Sequence, residues 1–318
     1  MKLLITGAAG YIGAHATQYF DKLGYDVIAI DNLERGNRKS IANHVKFYEC
    51  DLRNSLIINI MKEEKPDAVL HLAAYANVGE SFQFAHEYTM NNVGGTLNLM
   101  DAMVISNTSK IVFASSCSVY GEFTESVSEA ATIKPMSPYA QTKVDCERII
   151  RETYKAYKPN YAIMRLFNVA GADNAGVQIP RSESRIIPRA IASAQGRGVL
   201  TINGADFPTP DGTAIRDYVH VKDVVKAFEA ALLHLDMGGC STEFNIGSEV
   251  GSSVWDAVVT VERITGGAVR FKTAPRQPGD PAEIVSYCAK AKAGLTWEPK
   301  FSRLDEIVYD TWKAPVSI

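Results

Sequence analysis

Through its first half the chain alternates short apolar runs with longer amphipathic stretches. Residues 2–6 (KLLIT) are the first run, and a glycine-rich turn leads from them into a helical stretch over 11–23. Further strands are predicted at 26–30, 45–49, 68–72, 110–114 and 161–166. Between them lie helix-length segments: one ends near residue 65, a long one covers 79–105, and another starts at Ser137. Strands separated by helices form a parallel, doubly wound sheet in the α/β class. After Asn168 the alternation loosens. A helix over 187–195, a short strand at 200–203 and a Pro-, Asp- and Gly-rich loop at 207–213 predict a smaller mixed α/β lobe, and 244–318 continues it with short strands and helices. The expected division is 1–170, with about 214–236 returning to it, and 171–318. No internal repeat or low-complexity segment is visible.

Ligands in such sheets bind beyond the carboxyl ends of the strands. Those ends carry Gly7, Asp31, Asp51, Ala73, Ser116 and Asn168. The first of them opens GAAGYIG, with glycines at 7, 10 and 13, directly before a helix. Glycines there let the backbone approach a pyrophosphate, and the amides at the helix start bind its charge. Asp31 ends the second strand, where a carboxylate bonds ribose hydroxyls and disfavours a 2′-phosphate. Strand, glycine turn, helix, strand and terminal acid in register predict a Rossmann-type dinucleotide site that prefers NAD to NADP. Arg35 is the reservation: an arginine just past the acid can receive a 2′-phosphate, or it is a solvated loop charge.

The stretch SPYAQTK, Ser137 to Lys143, places a phenol and an ammonium one helical turn apart. Ser137 is a good N-cap and Pro138 suits the first helical position, so Tyr139 and Lys143 fall in the first two turns. Bringing a phenol from its ordinary pKa of about 10 to near 7 needs about 4 kcal/mol. One cation about 4 Å away supplies about that much at an effective dielectric of about 20. Lys143 is therefore expected to activate Tyr139 as a base. Taken alone, the spacing equally suits an amphipathic helix with a buried tyrosine. Ser115, Ser116 and Ser118 in FASSCSVYG offer a neighbouring hydroxyl, although serines after a strand are also ordinary turn formers.

Composition narrows the class further. With 318 residues, 46% hydrophobic and 22% charged, the chain can bury a sizeable core. A net charge of -3 argues against a nucleic-acid footprint. The five cysteines, Cys50, Cys117, Cys146, Cys240 and Cys288, are scattered without metal-ligand spacing, so reduced thiols and no metal are expected. No signal peptide and no membrane-length run is visible, and a cytoplasmic protein without membrane partners is the expectation.

These motifs carry a family resemblance. The chain resembles the extended short-chain dehydrogenase/reductase family, specifically nucleotide-sugar 4-epimerases of the UDP-glucose 4-epimerase type. The match runs through GAAGYIG, HLAAYANVGES, NNVGGT, SSCSVYG, SPYAQTK, RLFNVAGA, GTAIRDYVHVKDV, FNIGS and APRQPGD, nearly the whole length. The resemblance implies a Ser116, Tyr139 and Lys143 catalytic set acting on a tightly held NAD. Tyr139 would take the proton of the sugar 4-hydroxyl, Ser116 would bond the same oxygen, and Lys143 would hold the ribose. Hydride leaves sugar C4 and returns to the opposite face of a 4-keto sugar, so the nucleotide is held firmly and the hexose loosely.

By motif position the resemblance assigns Gly7, Gly10, Tyr11, Ile12, Gly13, Asp31, Asn32, Asp51, Leu52, Leu72, Ala73, Ala74, Asn92 and Phe167 to the cofactor, beside the catalytic set. Asn168 joins Ser116 and Tyr139 at the UDP-sugar, Arg216 is assigned to the diphosphate and Asp280 to the uridine ribose. Three departures bear on substrate. Arg185 stands where relatives commonly have Asn or His, Gln277 where a second arginine is usual, and Ala76 where some have lysine. Arg185 is expected to replace the charge missing at Gln277. Ile284, four residues past Asp280, is of intermediate bulk and implies good activity on UDP-glucose and UDP-galactose but weak activity on N-acetyl forms. A homodimer formed by the helix after Gly79 and the Tyr139 helix is also implied, with Met90, Leu97 and Met100 facing either a partner or the chain's own sheet.

Rival functions are weighed by the same residues. A 4,6-dehydratase or a UDP-glucuronate decarboxylase needs an acidic residue beside the catalytic hydroxyl, where this chain has Cys117 and Ser118. UDP-glucuronate and UDP-pentose 4-epimerases share the expected chemistry. A non-catalytic NAD-sensing regulator is disfavoured by retention of Ser116, Tyr139 and Lys143.

Overall fold

A computed structural model of the chain describes residues 1–123, 125–173 and 185–314. Its strands are β1 (Lys2–Thr6), β2 (Asp26–Asp31), β3 (Lys46–Glu49), β4 (Ala68–His71), β5 (Lys110–Ser116), β6 (Asn160–Leu166), β7 (Asn168–Ala170), β8 (Leu200–Asn203), β9 (Ile215–His220), β10 (Thr242–Ile246), β11 (Gly251–Ser253), β12 (Phe271–Ala274) and β13 (Glu283–Ile284). Among the described residues, seven strands pair in the order β10-β6-β5-β4-β1-β2-β3. Every pairing in this sheet is parallel. The fold is the doubly wound α/β sheet that the alternation predicts, with smaller sheets beside it.

A strand buried on both faces carries apolar residues at odd and even positions alike. In β1, Leu3 and Ile5 join Phe20, Val224 and Phe228 on one face, while Leu4 joins Ile28, Leu99 and Ile150 on the other. This is why KLLIT reads as a continuous apolar run. A separate core of Ile187, Ile191, Leu200, Val258, Val261 and Ile307 lies under the smaller sheets.

Three expectations differ from the structure. The predicted helix over 79–105 is broken into Val78–Ser81, Ala85–Tyr88, a π-helical turn at Thr89–Gly94 and Gly95–Ser106. Phe84 has non-helical backbone angles, and the π turn carries Asn92 inward, a displacement that apolar periodicity cannot register. Met100 is buried, whereas Met90 and Leu97 are exposed, so the three do not share one face. Strand β5 runs two residues past its predicted end, because Ser115 and Ser116 pair with Arg165 and Leu166. Finally, Thr242–Ile246, read in sequence with the smaller lobe, extends the large sheet as the parallel neighbour of β6.

Candidate active site

Parallel alignment brings the carboxyl ends of β1, β2, β4 and β5 to one edge of the sheet. Gly7 follows β1 with φ +66, and a Cβ there would stand 2.6 Å from the Ala73 backbone nitrogen. A Cβ on Gly13 would stand 2.0 Å from the Gly7 carbonyl oxygen. Gly7 is therefore required for the turn to pack against the Leu72–Ala73 backbone, and Gly13 for the helix to pack against the turn. The Tyr11–Lys22 helix then starts at Gly10 with no side-chain cap and no acid in its first turn. Its first amides and positive dipole end suit a pyrophosphate. Asp31 accepts from the Ala9 amide (2.9 Å) and the Leu33 amide (2.8 Å), which fixes its carboxylate beside the turn. A carboxylate has about four acceptor sites, so capacity remains for ribose hydroxyls. The residues present thus fit a dinucleotide.

Arg35, the reserved possibility for a 2′-phosphate, is committed elsewhere. Its two terminal nitrogens donate to the Glu80 carboxylate at 2.7 and 3.0 Å, and its guanidinium lies 3.8 Å from the Tyr75 ring centroid. Asn32 donates to Asp51, which Arg53 holds down to a pKa of about 2. Leu52 and Phe167 are buried, and Ala74 is half-buried nearby in sequence to Ala73.

The helix that carries the phenol forms for the reasons its sequence gives. Ser137 accepts from the Ala140 amide at 3.1 Å and Pro138 occupies the first turn of Pro138–Tyr157. Tyr139 is buried against the end of β5, with the Ser116 hydroxyl beside its phenol. Ser116 in turn accepts from the Ser118 amide (3.2 Å) and hydroxyl (3.0 Å).

Lys143 is bonded to the backbone of β5. Its ammonium donates to the Ala114 carbonyl at 2.7 Å and lies 6.0 Å from the Tyr139 ring centroid. Spacing puts the two side chains on one face of the helix, and the long lysine reaches a carbonyl of the neighbouring strand. Burial consequently raises the phenol above its ordinary value, and the Ser116 hydroxyl only partly offsets this.

Burial also lowers Lys143 from 10.5 to about 8. The unfolded chain binds the proton more tightly, so this site costs stability below pH 8, and the cost fades as pH rises from about 8 to 10.5. Lys143→Met is expected to raise the unfolding free energy near pH 7 by about 2 kcal/mol, the cost of that displacement less the lost bond to Ala114. Its advantage should shrink toward pH 10.5 in urea titrations. An advantage that is the same at pH 7 and at pH 10 would refute the assignment.

Two polar networks that sequence reading did not find brace these residues. Asn92 exchanges bonds with the Tyr75 amide (2.8 Å) and carbonyl (3.0 Å) and donates to Thr142 (2.9 Å), which donates to the Tyr139 carbonyl (2.7 Å). Behind the site, Arg165 forks onto Glu147 at 3.0 and 2.8 Å, Ser115 donates to the same carboxylate at 2.6 Å, and Arg165 reaches the Tyr120 hydroxyl at 2.9 Å. A charged pair on a helix and the next strand was the available signal, but no periodicity says that it is buried.

A cleft of about 310 Å³ is lined by Tyr11, Ala76, Asn168, Arg185, Arg216, Gln277 and Asp280, among others. The structure thus gathers on one wall residues spread over more than half the chain. Arg216 lies 3.4 Å from Asp280, and the Arg185 guanidinium lies 3.7 Å from the Tyr11 ring centroid. Tyr11 donates to the Gly171 carbonyl at 2.6 Å. Arg276, the neighbour of Gln277, is turned to Asp206 at 2.8 Å. Ile284 is buried among Cys117, Val119, Tyr120 and Phe167.

Comparison with known proteins gives a concordant result. Residues 3–247 match the NAD dependent epimerase/dehydratase family. The chain is 37% identical to a UDP-glucose 4-epimerase of Lactobacillus helveticus, over 98% of this chain and 96% of that one. It superposes on a crystal structure of UDP-glucose 4-epimerase from Brucella ovis in complex with NAD with a TM-score of 0.93 and 34% identity, covering 99% of each chain. A UDP-glucose 4-epimerase from Bifidobacterium longum in complex with NAD+ and UDP gives a TM-score of 0.93 at 30% identity, covering 98% of this chain and 97% of that one.

Proposed function

The chain belongs to the NAD dependent epimerase/dehydratase family, and we propose that it interconverts UDP-glucose and UDP-galactose by inverting carbon 4 of the hexose. It is an NAD-dependent isomerase of the UDP-glucose 4-epimerase type. The observations that support the substrate reading are a buried Tyr139 with the Ser116 hydroxyl beside its phenol, and a cleft with Arg216 and Asp280 among its lining residues. The pairing of Arg35 with Glu80 supports NAD over NADP.

When bound, NAD would supply an oxidised, positively charged nicotinamide able to accept and return a hydride and to favour the phenolate. Tyr139 accepts the 4-hydroxyl proton and gives it back to the inverted alcohol. Ser116 bonds the same oxygen and shortens the proton's path, with Ser118 fixing its orientation. Lys143 is the cation bonded to the Ala114 carbonyl one helical turn from Tyr139, where it suits a ribose hydroxyl. Gly7, Gly10 and Gly13 with the amides of Tyr11 and Ile12 hold the pyrophosphate, and Asp31 holds the adenosine ribose. Asn32, Asp51, Leu52, Leu72, Ala73, Ala74, Asn92 and Phe167 complete the cofactor wall.

Arg216 binds the diphosphate bidentately, Asp280 the uridine ribose, and Asn168 the substrate. Arg185, on the same cleft as the uncharged Gln277, supplies a second cation to the diphosphate. Exposed Phe82, Phe84, Met90 and Leu97 support a homodimer. The test is to incubate purified protein, without added cofactor, with UDP-galactose, UDP-N-acetylgalactosamine, UDP-glucuronate and a UDP-pentose, and to identify products. Conversion of UDP-galactose to UDP-glucose is expected, with NAD released on denaturation and sedimentation as a dimer. Preferred turnover of an acidic, pentose or N-acetyl substrate would overturn the hexose assignment.

A further inference from the structure

The loop after β2 and the loop after β4 face each other across the cofactor edge of the sheet, and a clasp joins them. Arg35, four residues past Asp31, forks onto Glu80 and lies against the Tyr75 ring. Glu80 is itself held, because the buried Tyr88 hydroxyl donates to it at 2.7 Å and Asn77 caps its backbone amide at 3.0 Å. Tyr75 also bonds Glu34 on the opposing loop. An isolated exposed ion pair orders little, but a two-pronged guanidinium–carboxylate contact with an aromatic platform and a second donor fixes its geometry. The loop backbone at this point touches the acid: a Cβ on Gly36 would lie 2.7 Å from an Asp31 carboxylate oxygen. Arg35 therefore stands beside the ribose end of the proposed dinucleotide site, where a free guanidinium would favour a 2′-phosphate.

We propose that Glu80 is a positioning residue for cofactor choice: by occupying Arg35 it denies a 2′-phosphate its cation, so that NAD preference rests on two acids, Asp31 and Glu80. This rests on the reading of the glycine turn as an NAD site. Glu80→Gln keeps the shape and an acceptor for Tyr88 but removes the charge that holds the guanidinium. Asp31 still opposes the phosphate in that variant, so the effect is a shift in ratio and not a full reversal.

The experiment unfolds the purified protein in urea to release resident nucleotide, refolds it with NAD and NADP in equal excess, removes free nucleotide, denatures it and measures both species released. Native protein should release mainly NAD. Glu80→Gln should raise the NADP-to-NAD ratio by about tenfold, the effect of one charge-assisted phosphate contact. Glu80→Asp should return the ratio toward native, and adding Arg35→Ala to Glu80→Gln should abolish the gain. An unchanged ratio in Glu80→Gln, or a gain that survives Arg35→Ala, overturns the proposal while leaving the NAD reading intact. Native protein that retains neither nucleotide would defeat both.

Discussion

Tyr139→Phe is expected to lower turnover of UDP-galactose by about 10²–10⁴-fold, the usual contribution of a positioned proton carrier. The substitution deletes one oxygen and keeps a ring that packs edge-on to Tyr88 at 6.5 Å between centroids. Because burial makes the phenol harder to ionise, removing its hydroxyl relieves a desolvated polar group and leaves only Ser116 without that neighbour. Unfolding should therefore change little, and NAD should remain bound. Steady-state assays with unfolding curves on the same preparation make the comparison. Turnover within threefold of native would show that the proton travels by another group. A regulator that merely senses NAD would keep its ligand response in this variant, which separates it from an enzyme.

Sequence reading reached the sheet and its binding edge because both are written in local chemistry. Alternating apolar runs, the glycine turn and the Ser137–Pro138 helix start depend on residues a few positions apart. The tertiary consequences were not local. Lys143 sits on the predicted face, yet its bond to Ala114 joins it to a strand 29 residues away in sequence. The π turn at Thr89–Gly94 follows from Asn92 being drawn to Tyr75 and Thr142, residues far from it in sequence. Arg35 read as either a receptor for a 2′-phosphate or a solvated loop charge, because its partner lies 45 residues away. The cleft wall was legible only through family resemblance, since nothing in the spacing of Asn168, Arg185, Arg216 and Asp280 brings them together.

Arg165→Leu is expected to destabilise the fold by about 3–5 kcal/mol, the usual consequence of stranding one member of a buried ion pair. Arg165 and Glu147 side chains are only 3% and 2% exposed, so water cannot replace the lost partner. Glu147 would keep Ser115 and a peripheral Arg151 at 3.0 Å. The native carboxyl is held below its ordinary value, first against the cost of burial, by the hydrogen bonds and charge of Arg165. A depressed acid stabilises the fold above its unfolded pKa and loses that contribution as pH falls through the folded value. The native protein should thus weaken below about pH 4.5, the ordinary carboxyl range, whereas in Arg165→Leu the stranded carboxyl is pushed above that range by burial, so the deficit of the variant should shrink from pH 7 to pH 5 as Glu147 takes up a proton. Adding Glu147→Leu should recover much of the deficit, because two apolar residues strand no charge. Turnover should not recover with it, since Ser115 then loses the acceptor that ties the end of β5 to the Tyr139 helix. Urea unfolding at pH 5 and pH 7 with assays of all three variants reads both quantities. A single variant within 1 kcal/mol of native would mean that packing alone, and not this pair, sets the register between Ser116 and Tyr139.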